Sequence, residues 1–301
     1  MQQTVNDWLG LLQAAPRQHA YTGEVEVSLH GQTSRSRLAH VRAGDGRFVD
    51  RIETLGERPR IVYRQHDEVL TLWPQSGQAV RETRDPLLSF PNLLQGPAGR
   101  LTQFYAVRLG NTVPVAGHAA RETDLFPLDG WRYRLRVWAE ARTGLPVKVQ
   151  TLDGQARVLE QSVFTALDLS PRPAGDPLAQ RRRELKACRI KASTLERTTP
   201  QEQGWRLASG VPGFEAVSCY RRLLDEAGGQ AAMQWIFSDG LASVSLFLQP
   251  FDSQRHVREV QLAQGATHVL TRRIQDWWLT AVGEVPARTL RALAHGLERL
   301  S

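Results

Sequence analysis

Two cysteines and eight histidines are the side chains of this 301-residue chain best suited to metal or nucleophilic chemistry, and neither set is arranged for it. Cys188 and Cys219 have the spacing of neither a zinc cluster nor a redox pair. Two readings remain for them: a pair of buried free thiols, or one disulfide in the C-terminal half if the chain lives in an oxidising compartment. The disulfide is the expectation, and closing such a loop contributes roughly 3–4 kcal/mol in the chain-entropy model. The histidines are dispersed. His256 and Glu259 lie three apart, but on a polar stretch such a pair is ordinarily solvated rather than liganding. No Gly-x-Ser-x-Gly elbow, His-Glu-x-x-His motif or phosphate-binding glycine loop ending in Lys-Ser/Thr occurs. A triad assembled in space needs no local motif, yet nothing singles out a nucleophile. The chain reads as a non-enzyme that needs no metal or other cofactor.

What stands out instead is suited to binding. The net charge is +7 with a pI near 10, carried overwhelmingly by Arg rather than Lys. Nucleic acid, anionic lipid and an acidic protein segment are the partners such a charge attracts. Zinc-finger spacing, an RNA-recognition motif and a sustained basic helix are all absent, which argues against nucleic acid. Trp73, Trp131 and Trp138 fall in the N-terminal half and either fill a core or line a cavity. In the second reading Leu87, Leu88, Phe90, Leu93 and Leu94 form an apolar cover over an acyl chain, each buried methylene contributing about 0.8 kcal/mol. Arg81, Arg84 and Arg100 then meet a lipid phosphate through bidentate hydrogen bonds; solvated surface charge is the plainer alternative. In the C-terminal half Trp205, Trp277 and Trp278 are candidate anchors for a partner, with core packing as the alternative. Self-association is left open.

The elements that must position these residues are mostly strands. Val5, Trp8, Leu9 and Leu12 share one face of an opening helix, capped at Thr4 and ended by Pro16. From Tyr21 the period changes to two, and short turns join successive runs as far as Thr83, implying a meandering antiparallel sheet. The proline-interrupted stretch from Asp85 to Arg100 breaks the pattern before strands resume between Phe104 and Asp168. Ser170-Pro-Arg-Pro-Ala-Gly-Asp-Pro177 has linker composition. This sets the expected organisation: a domain at 1–170, a linker at 171–185, and a smaller α+β domain at 186–301. The smaller domain is an antiparallel sheet closed by a helix from Pro286, with Leu290, Leu293, Leu297 and Leu300 on its apolar face. No run has the roughly 18 apolar residues of a membrane-spanning helix. The N-terminus lacks an export-signal pattern.

One string adds a family resemblance. Ser238-Asp-Gly-Leu-Ala-Ser-Val-Ser245, followed by Gly265-Ala266 and Val282-Gly-Glu-Val-Pro286, closely resembles the C-terminal domain of the MucB/RseB family of periplasmic regulators. Val137-Trp-Ala-Glu-Ala-Arg-Thr-Gly-Leu-Pro-Val-Lys148 is similar to a strand-turn-strand of LolA/LolB-like lipoprotein carriers. The resemblance implies a mainly β, α+β protein whose larger domain is a curved, LolA/LolB-like half-barrel sheet with helices. It also implies export to the periplasm, with the signal peptide removed, and binding of the periplasmic segment of a MucA/RseA-type transmembrane anti-sigma factor. That binding shields the segment from site-1 proteolysis and restrains an envelope-stress sigma factor until lipid or lipopolysaccharide loosens it. The rival implication is a lipoprotein or lipid carrier of the LolA/LolB type.

Overall fold

A computed structural model describes residues 2–29, 31–85, 89–172, 175–193, 195–223 and 231–300. Helix α1 (Gln2–Gln18) leads into β1 (Tyr21–Leu29), β2 (Gln32–Arg42), β3 (Phe48–Thr54), β4 (Arg60–Gln65), β5 (Glu68–Trp73) and β6 (Gln78–Thr83). After the short α2 (Ala98–Leu101) come β7 (Tyr105–Val115), β8 (His118–Pro127), β9 (Arg134–Glu140), β10 (Pro146–Leu152) and β11 (Val158–Asp168). The two meanders meet where β11 returns antiparallel to β1. One sheet results, in the order β6-β5-β4-β3-β2-β1-β11-β10-β9-β8-β7. It stays open, with β7 at one edge.

Helix α1 buries the face its periodicity marks. Leu9 and Leu12 are fully buried and Trp8 nearly so, in a cluster with Tyr105, Leu125, Val137 and Val149. Each fully buried leucine of this kind is worth about 1.5–3 kcal/mol relative to exposure. The Trp8 indole N–H donates to Thr123 Oγ1 at 2.8 Å, so the ring's polar end is satisfied inside. The helix starts at Gln2, so Thr4 lies within it, and it runs two residues past Pro16. Proline there forgoes its bond to the Leu12 carbonyl, and the helix ends within the next turn.

Of the stretch expected as a linker, Pro177–Leu185 forms α3, capped by the Asp176 carboxylate on the Leu178 and Ala179 amides. It docks on the first sheet. Leu178, Leu185 and Cys188 pack on the Tyr63–Leu70–Leu72 cluster, and Glu184 takes hydrogen bonds from Arg51 at 3.0 Å and Tyr63 at 2.8 Å. Strand β12 (Arg189–Ala192) then joins β6 in parallel, making the sheet twelve-stranded.

The second unit comprises β13 (Leu195–Arg197), β14 (Trp205–Leu207), β15 (Glu215–Leu223), β16 (Ala231–Ser238), β17 (Ser243–Pro250), β18 (Gln261–Gln264), β19 (Thr267–Ile274), β20 (Trp277–Gly283), α4 (Ala287–Gly296) and β21 (Leu297–Arg299). Seven strands form one antiparallel sheet in the order β13-β15-β16-β17-β20-β19-β18, and β14 pairs with β21 beside it. Leu290, Leu293 and Ala294 of α4 pack on Val244, Leu246, Leu279 and Ala281. The expected continuation of this helix through Leu300 does not occur. At Gly296 a Cβ would sit 2.0 Å from the Ser209 carbonyl, so the chain leaves the helix there and Leu297 continues as strand.

Both cysteines are free thiols, which corrects the expected disulfide: Cys188 packs with the first sheet, whereas Cys219 belongs to the second unit's core. Residues in separate cores do not bring their Cα atoms within the roughly 7 Å a bridge demands. Burial, and secondarily Glu202, pushes the Cys219 thiol up to about 11, so it stays protonated.

Candidate functional site: a basic-rimmed cavity and the seam between the two units

The first sheet curves around a cavity of about 460 Å³, within the range of small-molecule sites. Its walls are Tyr21 of β1, Leu38 of β2, Phe48 and Ile52 of β3, and Phe90 with Pro91 from the turn after β6. Arg17, Arg42, Arg47, Arg64 and His66 stand around it, with Asp50 as the opposing charge. The stacking is ordered. His40 lies between the Tyr21 ring at 5.1 Å and the Phe48 ring at 4.2 Å, with the Arg42 guanidinium 4.3 Å over Phe48. His40 Nδ1 meets Asp50 Oδ1 at 2.5 Å, and its buried Nε2 has no partner among the described residues. Arg64 donates to Ser89 Oγ at 3.1 Å, tying the 89–92 turn to the rim. Burial holds the Arg64 guanidinium below its ordinary value, with Asp50 pulling the other way. Burial likewise raises the Tyr21 phenol, which stays protonated. An apolar hollow under a cationic rim suits a ligand with an alkyl body and an anionic head.

The sequence-predicted site residues divide sharply. Phe90 lines this cavity. Leu93 lines a smaller one beside it, and Leu94 is buried in the core under α1. Leu87 and Leu88 lie outside the described residues. Trp73 is 38% exposed at the end of β5 and away from the cavity. Trp138 is core, under the Lys148 ammonium at 4.4 Å. Trp131 packs against the second unit. The proposed headgroup arginines are engaged elsewhere. Arg81 faces Glu68 at 3.8 Å and Arg84 faces Glu82 at 3.5 Å. Arg100 reaches Glu215 at 2.5 Å and the Gly213 carbonyl at 3.0 Å. The cavity is lined from β1 to β5 and by the 89–92 turn, and none of these three arginines is among its lining residues. Of the proposed partner anchors, Trp205 and Trp278 are buried and Trp277 is half-buried. Trp205 is fully buried and edge-on to Trp277 at 5.7 Å, and Trp278 stacks on His256 at 4.8 Å. His256 accepts from the Asp252 amide, while Glu259 accepts from the Arg273 amide, so the two are not co-ligands. Among the described residues no cluster of His, Cys, Asp or Glu is arranged to hold a metal.

The residues missed from sequence are those joining the two units. Arg132 is fully buried: it reaches Asp239 Oδ2 at 3.1 Å, Asp129 Oδ1 at 3.1 Å and the Pro212 carbonyl. Tyr105 donates to the same Asp239 oxygen at 2.9 Å. Burial, then the Asp239 carboxylate, holds the Tyr105 phenol well above its usual range, so it remains a donor. The other Asp239 oxygen caps its own turn through the Leu241 and Ala242 amides at 2.9 and 2.8 Å. Gly240, at φ +99°, packs so tightly that a Cβ would stand 2.7 Å from the Gln95 carbonyl, and the Gln95 amide donates to the Gly240 carbonyl at 2.8 Å. Gly265, at φ +62°, abuts Leu29, leaving no room for a side chain. Glu284 faces Glu160 of β11. The three strings that carry the family resemblance thus converge on a single seam. Thr289 of α4 completes it, donating to the Trp131 carbonyl at 2.5 Å.

Comparison with known proteins agrees with this two-part architecture. The model of the MucB/RseB N-terminal domain matches residues 4–188, and that of the MucB/RseB C-terminal domain matches residues 199–298. The sigma factor AlgU regulatory protein MucB of Pseudomonas aeruginosa is 28% identical over 293 residues, covering 96% of this chain and 89% of the relative. The sigma-E factor regulatory protein RseB of Escherichia coli K12 is 23% identical over 275 residues, covering 90% of this chain and 84% of the relative. A crystal structure of MucB in complex with MucA(peri) superposes with a TM-score of 0.73 at 24% identity, covering 99% of both chains. The structure of the Pseudomonas aeruginosa MucA/MucB complex gives 0.74 at 23%, again over 99% of both chains. At these identities the solved structures establish a shared fold.

Proposed function

The chain belongs to the MucB/RseB family, and from that premise we propose that it is a periplasmic regulatory protein that holds the periplasmic segment of a MucA/RseA-type transmembrane anti-sigma factor. Holding that segment keeps it from site-1 proteolysis and so restrains an envelope-stress sigma factor. The relatives' names and the MucA-bound neighbour support this reading. The chain's basic charge supports it physically, because a basic surface speeds encounter with an acidic, extended partner.

The observation that carries the signalling half is the apolar cavity with its arginine rim. It accepts the acyl chain of an anionic envelope lipid or lipopolysaccharide and pairs the head with Arg42, Arg47 or Arg64. Ser89 and Phe90 line both this cavity and the smaller one at the seam. An acyl chain that displaces Phe90 therefore disturbs the joint between the units and lowers affinity for the anti-sigma segment by linkage. A simple lipid carrier has no need of a second unit locked to the first through Arg132 and Asp239, and that seam favours the regulator over the carrier. Binding of the anti-sigma periplasmic segment to the full chain, measured by calorimetry, tests the reading. Absence of binding would defeat it, and binding that survives in a chain ending at 192 would remove the second unit from the account.

A further inference from the structure

A second, smaller cavity of about 100 Å³ lies on the seam, and its chemistry is opposite to that of the first. The strand register builds one side. Leu135 of β9, Thr151 of β10 and Glu160 of β11 are cross-strand neighbours in one row, and Val149 and Ser162 form the next row on the same face. The second unit supplies Leu241 and Glu284. Both carboxylates are without an ion-pair partner among the described residues. Ser162 is only 8% exposed, and its hydroxyl is without a hydrogen-bond partner among those residues while it lines the cavity. Burial, with a smaller contribution from Glu284, pushes Glu160 up to about 7. Glu284 is shifted in the same direction by loss of solvation, although its side chain keeps an exposed part. Two carboxylates without an ion-pair partner and a hydroxyl, lining one apolar-walled hollow, form an acceptor set that a cation satisfies at once.

We propose that this seam cavity is a binding site for a primary alkylammonium group, the chemistry of a lysine side-chain tip, held by Glu160, Glu284 and Ser162 with its alkyl stem against Leu135 and Leu241. An ammonium has three donors and no acceptor, matching an acceptor set of two carboxylates and a hydroxyl. A guanidinium is planar and needs coplanar acceptors. A hard divalent ion takes six or more oxygens, more than this mixed lining offers. The volume is also apt, being somewhat smaller than the roughly 150 Å³ cavity that accommodates benzene. Because its walls come from both units, an occupied site ties them together.

The test uses the full chain with methyl-labelled leucine and valine, titrated with n-butylammonium chloride at pH 8 and constant ionic strength. Saturable shifts of the Leu93, Leu135, Val149 and Leu241 methyls are expected in the millimolar range for so small a ligand. n-Butanol should bind about tenfold or more weakly, since it lacks the charge. Glu160→Gln should weaken the amine about tenfold. Ser162→Ala, which leaves both carboxylates in place, should weaken it several-fold and serves if the first variant folds poorly. Equal responses to the amine and the alcohol would overturn the proposal, as would no saturable shift, or a response to magnesium chloride in place of the amine.

Discussion

The seam has two ends, and they handle charge in opposite ways: a fully buried pair at one, a half-buried and an exposed carboxylate at the other. At one end Asp239 is buried with Arg132 and Tyr105, every oxygen taken by a guanidinium, a phenol or a turn amide. At the other, Glu160 and Glu284 face each other across a small cavity with no counter-charge among the described residues. Removing one member of a buried pair leaves a stranded charge, whereas neutralising an unpaired carboxylate relieves one. The first end therefore locks the two units, and the second holds strain that a ligand or a proton releases.

Breaking the lock should have the largest effect. Asp239→Ala leaves buried Arg132 with Asp129 alone, strips the Tyr105 phenol and two turn amides of their acceptor, and should cost roughly 3–5 kcal/mol, read from denaturant midpoints of the full chain. A loss under 1 kcal/mol would mean the seam is held by something else. Trp205→Ala should cost a comparable ~3–5 kcal/mol, because the ring is fully buried in the second core. At temperatures where this variant remains folded, its affinity for the anti-sigma segment should be unchanged. A selective loss of binding would restore Trp205 as an anchor.

Smaller effects discriminate further. Arg64→Ala should weaken an anionic amphiphile about tenfold, the worth of one charge-assisted hydrogen bond, and leave a neutral detergent unaffected. Equal weakening of both would mean the rim serves packing alone. The smallest effect is the pH response of the unpaired end. Because Glu160 is raised in the folded chain to about 7, the native state binds the extra proton between its ordinary range near 4.5 and 7. Stability from this group is therefore present at low pH and lost as pH rises through that window. Glu160→Gln should raise the melting temperature at pH 8 and change it little at pH 5. A rise at both would point to packing rather than charge.

The strand pattern was largely legible because alternation reports which side of a sheet is buried, as in β17. The site was less so. Tryptophan and leucine draw attention to themselves, yet Trp138, Trp205 and Leu94 are core because large apolar side chains are the first to be buried. The informative signal was the reverse, a polar residue on an apolar face. His40 and Arg42 share a face with Leu38 on β2, and Glu160 and Ser162 share one with Phe164 on β11; each such run borders a cavity. Arg132 carries no local signal, because it sits in the connection between β8 and β9. That connection runs from Leu128 to Tyr133, long enough to turn the arginine into the seam. Nothing local announces that Asp239 pairs with a residue 107 positions away.

Calorimetric titration of the anti-sigma periplasmic segment into the full chain, with and without a saturating short-chain anionic lipid, addresses the coupling of grip and signal most directly. The structure predicts tight binding without lipid and clearly weaker binding with it. Identical affinities in the two titrations would contradict the account.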